Sequence, residues 1–168
     1  MHREGHIGVA LLVYAPLALV AAAVGYREAA LLGGLAMAGL AMVPDLDMQV
    51  PFVPHRGPTH TVHFAGLTAF VGAAAGLVLG LPQGLLAGFG FGLFGGVIGG
   101  LSILAHIFAD ALTPMGVAPF ALFGGKTYSY DLARASNPIA NYGLLGLGGA
   151  VSLGALVLGT KLHSMPGL

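Results

Sequence analysis

The sequence contains no cysteine in its 168 residues. This absence excludes disulfide bonds and thiolate metal sites, and it leaves the redox compartment of the protein open. Any metal ion that the chain binds must therefore be held by histidine, aspartate or glutamate, and the chain has seven histidines and six acidic residues.

Charged residues are also scarce, at 7% of the chain, whereas hydrophobic residues make up 57%. Such a composition excludes a soluble globular protein, because too few polar side chains remain to cover its surface. Six basic residues balance six acidic ones, so the chain offers no basic field for nucleic acid and no Lys/Arg run for a lipid surface. The polar start MHREGH precedes an apolar run without a small-residue cleavage site, which favours a retained signal anchor. We therefore predict an integral membrane protein.

The apolar residues are grouped in five long runs. A helix needs about 20 residues, at a rise of about 1.5 Å each, to cross a hydrocarbon core about 30 Å thick. The runs predict an all-α fold, a polytopic membrane bundle of about five transmembrane helices in a single domain, residues 1–168. The second run is short and ends at the sequence VPDLD. The predicted spans are 6–24, 29–44, 60–80, 84–112 and 139–161, with polar breaks at 25–28, 81–84 and 113–138.

Glycine recurs every fourth residue in the third and fourth predicted spans. Small residues at this spacing let two helix backbones approach closely in lipid. The two spans are therefore predicted to form a tight hairpin, and glycine-rich faces also offer contacts for an oligomer. The alternative is that a glycine-rich composition produces the spacing by chance. The two rows are Gly72, Gly76 and Gly80, followed by Gly84, Gly88, Gly92, Gly96 and Gly100.

The polar motifs are separated by even numbers of predicted crossings, which places them on one face of the membrane. Ionisable groups at a bilayer are costly and are kept mainly where they serve a site or a pathway. The motifs therefore predict one cluster. It comprises His6, Asp45, Asp47, the segment His55 to His60, His106 and Asp110, whereas Arg27, Glu28, Gln83, Lys161 and His163 lie on the opposite face.

The sequence HIFAD places His106 and Asp110 four residues apart in a predicted helix. Side chains at this spacing share one side of the helix, so a nitrogen and an oxygen ligand can reach the same point. The alternative is a buried structural pair in which His106 donates a hydrogen bond to Asp110.

The sequence PDLD places Asp45 and Asp47 just after a proline, in a predicted turn. The two carboxylates can converge on a cation, or one can bind it while the other orients a ligand or takes a proton. The alternative is a capped turn with solvated aspartates, since aspartate is common in turns.

The sequence HRGPTH concentrates donors and acceptors in six residues. Gly57 and Pro58 predict a bend with Pro58 in the first turn of the next helix, which places Thr59 and His60 beside unsatisfied backbone N–H groups. His55 and His60 can bind a metal ion while Arg56 binds a phosphate or carboxylate. The alternative is an interfacial loop anchored by arginine and histidine. His63, one turn after His60, is predicted to be a buried structural residue.

These residues form a nitrogen and oxygen ligand set that suits zinc, manganese or another first-row divalent ion. Sites rich in carboxylates and imidazoles hold one or two such ions and favour the hydrolysis of phosphoesters. In that scheme a metal-activated water attacks the phosphorus and Asp47 or Asp110 takes its proton. Arg56 and Thr59 hold the anionic oxygens of the substrate.

Four motifs of the chain resemble, in their order and spacing, the YdjM-like family of membrane-bound metal-dependent hydrolases. They are EGH at 4–6, PDLD at 44–47, HRGPTH at 55–60 and HIFADALTPMGV at 106–117. The element HxxxD is also similar to one in the zinc-dependent phospholipase C and P1-type nuclease group. The chain departs from the family pattern at Met48, where relatives often carry histidine, and at Asn137 or Asn141, near which they often carry glutamate. The resemblance implies a metal site on His6, Asp45, Asp47, His55, His60, His106 and Asp110.

The sequence therefore predicts a membrane-embedded metal-dependent hydrolase that cleaves a phosphoester of a membrane lipid or another amphiphile. A metal-ion or proton transporter is the main alternative, but a transport path needs polar groups through the whole bilayer and the far halves of the spans are apolar. A membrane protein that binds metal for stability alone is a third. Among basic residues, Arg3, Lys126 and Arg134 outnumber Arg27 and Lys161, which favours a cytoplasmic site.

Overall fold

A computed structural model describes residues 1–121 and 125–165 of the chain. The described residues form five α-helices and no strand beyond an isolated bridge between Val117 and Tyr128. All five helices, the second together with the turn that follows it, are long and apolar enough to span a membrane, which confirms the all-α membrane fold. The helices are α1 (Arg3–Ala23), α2 (Arg27–Leu40), α3 (Val62–Gly80), α4 (Leu85–Ala111) and α5 (Pro138–His163).

The second crossing is completed by a 3-10 helix. Helix α2 has only 14 residues, a rise of about 21 Å, and it is followed by the 3-10 helix Pro44–Gln49. Proline at the first position of that helix loses no hydrogen bond, because the first N–H groups of a helix lack internal partners. Asp45 and Asp47 therefore lie in a short helix rather than in the simple turn that the sequence predicts.

The loop HRGPTH does not lead directly into the third span. Pro58–His60 forms its own single 3-10 turn, and α3 begins at Val62. Thr61 caps α3, since its hydroxyl accepts a hydrogen bond from the backbone N–H of Phe64 at 3.3 Å. Pro58 does lie in the first turn of the next helix, as predicted, but that helix is the separate 3-10 turn, and the capping threonine starts α3.

Helices α3 and α4 form the close hairpin that the glycine spacing predicts. A Cβ atom added at Gly72 or Gly76 would overlap the backbone carbonyl of Gly95 or Phe91 on the facing helix. The hydroxyl of Thr68 also donates across the interface to the carbonyl of Gly99, at 3.0 Å. Gly84, by contrast, lies in the connecting turn with no atom within 4 Å of an added Cβ, so it does not belong to the packed row.

Helix α1 packs against α2, α4 and α5. Its contact with α5 again depends on glycine. A Cβ atom added at Gly8 would overlap the backbone of Leu144, and a Cβ atom added at Gly148 would overlap the backbone of Gly8. Tyr14 and Met37 are fully buried between these helices. The interior between these helices is therefore filled by apolar side chains.

The long loop after α4 folds back over the ends of α3 and α4. The N–H of Tyr130 donates to the carbonyl of Ala111 at 2.7 Å, and the N–H of Val62 donates to the carbonyl of Pro119 at 3.0 Å. These contacts hold the loop beside the start of α3, next to His60, and beside the end of α4, which carries His106.

Candidate metal centre

Separate segments of the chain bring the predicted site residues to one end of the bundle, as the count of crossings predicts. His6, His60, His106 and Asp110 have at most 1% of their surface exposed, and Asp45 is half-buried. Asp47 contacts His55 and His60 from outside this group. The contributors are His6 from the start of α1, Asp45 and Asp47 from the 3-10 helix, His55 and His60 from the next loop, and His106 and Asp110 from the end of α4.

The middle of the cluster is formed by the Nε2 atoms of His60 and His106, which lie 3.1 Å apart. Oδ1 of Asp45 is 3.3 Å from the former and 3.4 Å from the latter. Oδ2 of Asp110 is 3.6 Å from both. Two atoms that each lie about 2.0–2.1 Å from one zinc ion in a tetrahedral site are about 3.3 Å apart. The separations therefore fit neighbouring ligands of one cation.

The hydrogen bonds on the outer side of the two imidazoles fix their tautomers. Nδ1 of His106 lies 2.7 Å from the carbonyl oxygen of Ala41, which can only accept, so Nδ1 carries the proton. Nδ1 of His60 lies 3.0 Å from the hydroxyl oxygen of Thr59. That hydroxyl donates its own hydrogen to Oδ2 of Asp47, so it accepts from His60, and Nδ1 of His60 carries the proton. With both imidazoles neutral, the two Nε2 atoms point lone pairs at each other. A cation between them removes this repulsion, and such outer partners are typical of metal-binding histidines.

Two further atoms of the cluster have unused bonding capacity. Oδ2 of Asp110 and Nδ1 of His6 are buried without a hydrogen-bond partner among the described residues. A buried carboxylate oxygen without a partner is costly, and a bound cation would satisfy it. The donor set, its burial and its spacing thus fit a divalent ion such as zinc.

His6 lies flat on His106. The two ring centroids are 3.8 Å apart and the ring planes differ by 6°, while Nε2 of His6 is 3.5 Å from Oδ1 of Asp110. His6, Asp45 and His106 also form a group whose ligand atoms lie within 4.8 Å of one another. His6 can therefore supply a further nitrogen to the same centre.

The positive charge nearest to Asp110 comes from two groups. The Nη2 atom of Arg56 donates to Oδ1 of Asp110 at 2.9 Å, and the amino group of Met1 donates to the same oxygen at 2.9 Å. Arg56 also donates from Nη1 to the carbonyl of Gly116, and its backbone is left-handed at φ 62°. These contacts fix the guanidinium beside the cluster and leave Oδ2 of Asp110 facing the histidines.

Asp47 connects the outer residues of the site. Only 3% of Asp47 is exposed, so the alternative of a solvated aspartate is wrong for this residue. Its Oδ2 accepts a hydrogen bond from the hydroxyl of Thr59 at 2.9 Å, and its Oδ1 accepts one from Nδ1 of His55 at 3.0 Å. His55 itself is 39% exposed at its side chain. Asp47 thus lies behind His60 and His55.

The remaining polar residues that the sequence singles out lie outside the cluster. His63 is half-buried, not fully buried as predicted, because α3 packs along one face only. Asn137 caps α5 by accepting a hydrogen bond from the N–H of Ala140 at 3.2 Å. The Oδ1 atom of Asn141 accepts one from the N–H of His2 at 3.0 Å, which fastens α5 to the start of α1. Met48 is 64% exposed.

Sequence reasoning missed the backbone groups of the site. The carbonyls of Ala41 and Gly116 orient His106 and Arg56. Every residue carries a carbonyl, so no sequence signal marks these two. The glycine at 116, whose φ is 63°, is a weak sign of a special backbone position.

The comparisons with known proteins agree with this architecture. A family model described as YdjM inner membrane protein matches residues 1–162. Neither the curated proteins nor the solved structures gave a match. The matched range includes every residue of the cluster and all but the last residue of α5. The chain belongs to the YdjM inner membrane protein family.

Proposed function

We propose that this protein is a membrane-embedded metal-dependent hydrolase that cleaves a phosphoester of a membrane lipid or another amphiphile. The observation that supports the proposal most strongly is the pair of facing Nε2 atoms of His60 and His106, 3.1 Å apart. They lie in a buried group with Asp45 and Asp110. Such a set can hold a cation, and zinc is the ion that nitrogen and carboxylate ligands in this spacing suit best.

The proposal assigns the inner ligands to His60, His106, Asp45 and Asp110, with His6 beside them. A divalent ion held there supplies a Lewis acid that lowers the pKa of water and stabilises charge on a phosphoester. Asp47 acts as a positioning residue, because its carboxylate fixes the hydroxyl of Thr59, which accepts from Nδ1 of His60 and so keeps Nε2 directed inward.

Proton transfer is assigned to His55. Its Nδ1 donates to the buried carboxylate of Asp47 at 3.0 Å, so Nε2 is left as the basic nitrogen. The side chain is also partly exposed at the edge of the cluster, where a substrate can reach it. A histidine oriented by a carboxylate is an effective general base near neutral pH.

Binding of the anionic substrate is assigned to Arg56. Its side chain is 13% exposed, and its Nε has no hydrogen-bond partner within the described part of the chain. A guanidinium in this position can donate to phosphate oxygens. Thr59 donates its hydroxyl to Asp47, and we therefore assign it to positioning and not to the substrate contact that the sequence suggests.

The depth of the cluster favours a substrate from the membrane. His106 lies five residues before the end of α4, about 7.5 Å along the helix. The cluster is therefore near the boundary between the headgroups and the hydrocarbon core, where the phosphoester of a lipid is found. Transport is less well supported. Away from the cluster, the interior of the bundle holds the buried side chains of Met37, Ile103 and Tyr14. The hydroxyl of Tyr14 is already hydrogen-bonded to the carbonyl of Ala30 at 2.7 Å.

The proposal is tested by metal analysis and cleavage assays on the detergent-purified protein. We expect the parent protein to hold a divalent ion and to cleave bis(p-nitrophenyl) phosphate or a phospholipid, and we expect a chelator to abolish cleavage. Asp45→Ala and His106→Gln should lose both properties, whereas His163→Ala, a histidine at the other end of the bundle, should keep both. Circular dichroism checks that each variant is folded.

Two results would overturn the proposal. Metal bound without any chelator-sensitive cleavage of either substrate would leave a metal-binding membrane protein. Flux of Zn²⁺ or protons through liposomes, abolished by the same variants and unaccompanied by cleavage, would establish a transporter.

A further inference from the structure

An exposed apolar segment lies directly beside the metal centre. From residue 45 to residue 48 the side chains alternate, with the two aspartates turned inward and the apolar residues turned outward. The outward residues continue to Phe52, whose backbone is left-handed at φ 70°. We call residues 46–53 the lip. Its exposed apolar side chains are Leu46 (51%), Met48 (64%), Val50 (50%) and Phe52 (104%).

The shortness of α2 places the lip within the bilayer boundary. Helix α2 has 14 residues from Arg27 and rises about 21 Å, less than the hydrocarbon thickness of about 30 Å. The chain must pass the remaining distance in the segment that carries Asp45 and the lip. The exposed side chains of the lip are thus at the depth where acyl chains meet headgroups.

Helix α2, which precedes the lip in the chain, also exposes apolar side chains. Leu32 and Leu35 are 64% and 71% exposed on that helix, and exposed leucine on a membrane span faces acyl chains. Leu46 and Met48 are exposed apolar side chains of the same candidate membrane span, residues 27–49. The occupant that suits exposed apolar side chains on such a span is lipid.

The inner side of the lip is the rim of the metal centre. Asp45 belongs to the inner cluster, and Asp47 binds His55, which follows the lip in the chain. The turn at Phe52 brings the chain back so that His55 reaches Asp47. The lip therefore adjoins the edge of the centre where His55 is partly exposed.

We propose that the lip is inserted in the bilayer and that the phosphate headgroup of a membrane lipid reaches the metal centre laterally across it. Lateral entry of the headgroup rests on the proposed function, whereas insertion of the lip does not. Lateral entry narrows the proposed substrate class to lipids that stay in the bilayer. A water-soluble phosphoester reaches the centre by another route, without crossing the lip.

Insertion is tested with tryptophan fluorescence, because the chain contains no tryptophan. Phe52→Trp is reconstituted in phosphatidylcholine vesicles that carry bromine either near the headgroup or near the chain end. Val71→Trp in the middle of α3 is the deep control, and Ser136→Trp in the exposed turn before α5 is the aqueous control.

We expect the emission of Phe52→Trp to be blue-shifted relative to Ser136→Trp and quenched at least twofold more by shallow than by deep bromines. Val71→Trp should show the opposite preference. Emission and iodide quenching equal to those of Ser136→Trp, without quenching by either bromolipid, would overturn insertion whatever the activity of the protein.

Lateral entry is tested with the double variant Met48→Ser/Phe52→Ser. We expect at least a tenfold loss of cleavage of phosphatidylglycerol in vesicles, a change of less than twofold for bis(p-nitrophenyl) phosphate, and unchanged metal content. Equal losses for both substrates, or no loss for either, would overturn lateral entry.

A binding readout separates this inference from the proposed function. Native mass spectrometry counts phosphatidylglycerol bound to the parent, to the double variant and to Arg56→Gln. Loss of bound lipid in both variants supports lateral entry even if the parent cleaves nothing, in which case the hydrolase proposal fails alone. Equal retention in all three proteins overturns lateral entry.

Discussion

His55 and His106 belong to the same cluster but differ in exposure and in their contacts. His106 is fully buried and its Nδ1 is fixed by the carbonyl of Ala41, which suits a metal ligand. His55 is partly exposed and rests on Asp47, which suits a general base. We predict that His106→Ala loses the metal ion, whereas His55→Ala keeps it and loses about 100-fold or more of the hydrolytic rate.

The measurement is metal content by mass spectrometry beside the turnover of bis(p-nitrophenyl) phosphate. His163→Ala, remote from the cluster, is the control and should match the parent. If His55→Ala loses metal to the same extent as His106→Ala, His55 is a ligand, as the family resemblance implies, and the assignment of the base is wrong.

Asp47 is a second residue whose role the contacts define. Its carboxylate accepts hydrogen bonds from His55 and Thr59, and the hydroxyl of Thr59 accepts from the outer nitrogen of His60. Asp47→Asn places an amide in this site and weakens the orientation of His60. We predict a metal affinity about 10–100-fold lower, measured by competition with a fluorescent chelator. Asp131→Asn in the exposed loop is the control, and an affinity equal to the parent's would refute a positioning role.

At the residue scale, the residues that gather at the site could be predicted from the sequence, but the role of each residue could not. The motifs indicate the candidate ligands because they contain four of the seven histidines and three of the four aspartates and occur after even numbers of crossings. The roles of Asp47 and Thr59 depend on which atoms meet after folding. Thr59 faces Asp47 because Pro58–His60 forms its own 3-10 turn, and that turn depends on tertiary contacts.

The glycine contacts between α3 and α4 give a prediction at the scale of the element. A Cβ at Gly76 would overlap the carbonyl of Phe91, whereas one at Gly66 on the same helix has no atom within 4 Å. Gly76→Leu should therefore separate the helices and lower the free energy of unfolding by about 1–3 kcal/mol. Gly66→Leu should leave it unchanged or raise it slightly, since leucine favours helix more than glycine does.

Unfolding of both variants is followed by circular dichroism during titration with sodium dodecyl sulfate. Equal stability of the two would mean that the close approach of α3 and α4 contributes nothing, against the structure. Loss of stability in Gly66→Leu alone would place the partner of α3 on its other face.

The elements themselves were predictable because their hydrophobic runs are long. Each predicted span overlaps one helix, and the ends differ by a few residues, as for α3, which begins at Val62 rather than at residue 60. The 3-10 helices Pro44–Gln49 and Pro58–His60 were not predictable. They are short, and proline permits but does not require them, so their form follows from packing against the ends of α2 and α3.

The metal centre also connects elements that are far apart in the chain. His6 belongs to α1 and His106 to α4, and Asp45 follows α2. A cation held by all three would link three crossings at one end of the bundle. This geometry requires the three ends to lie at the same face of the membrane. The site therefore depends on how the whole chain crosses the membrane.

Sidedness can be measured directly because the chain has no cysteine. Ser136→Cys lies in the loop on the face of the metal centre, whereas Gln83→Cys and Ser164→Cys lie at the opposite ends of α3 and α5. In sealed vesicles an impermeant maleimide should label Ser136→Cys in one orientation and the other two only in the reverse orientation. The basic residues favour the cytoplasmic side for Ser136, so inverted vesicles should expose it. Labelling of Ser136→Cys and Gln83→Cys from the same side would break the even count of crossings, and the histidines of α1 and α4 could then not meet at one metal ion.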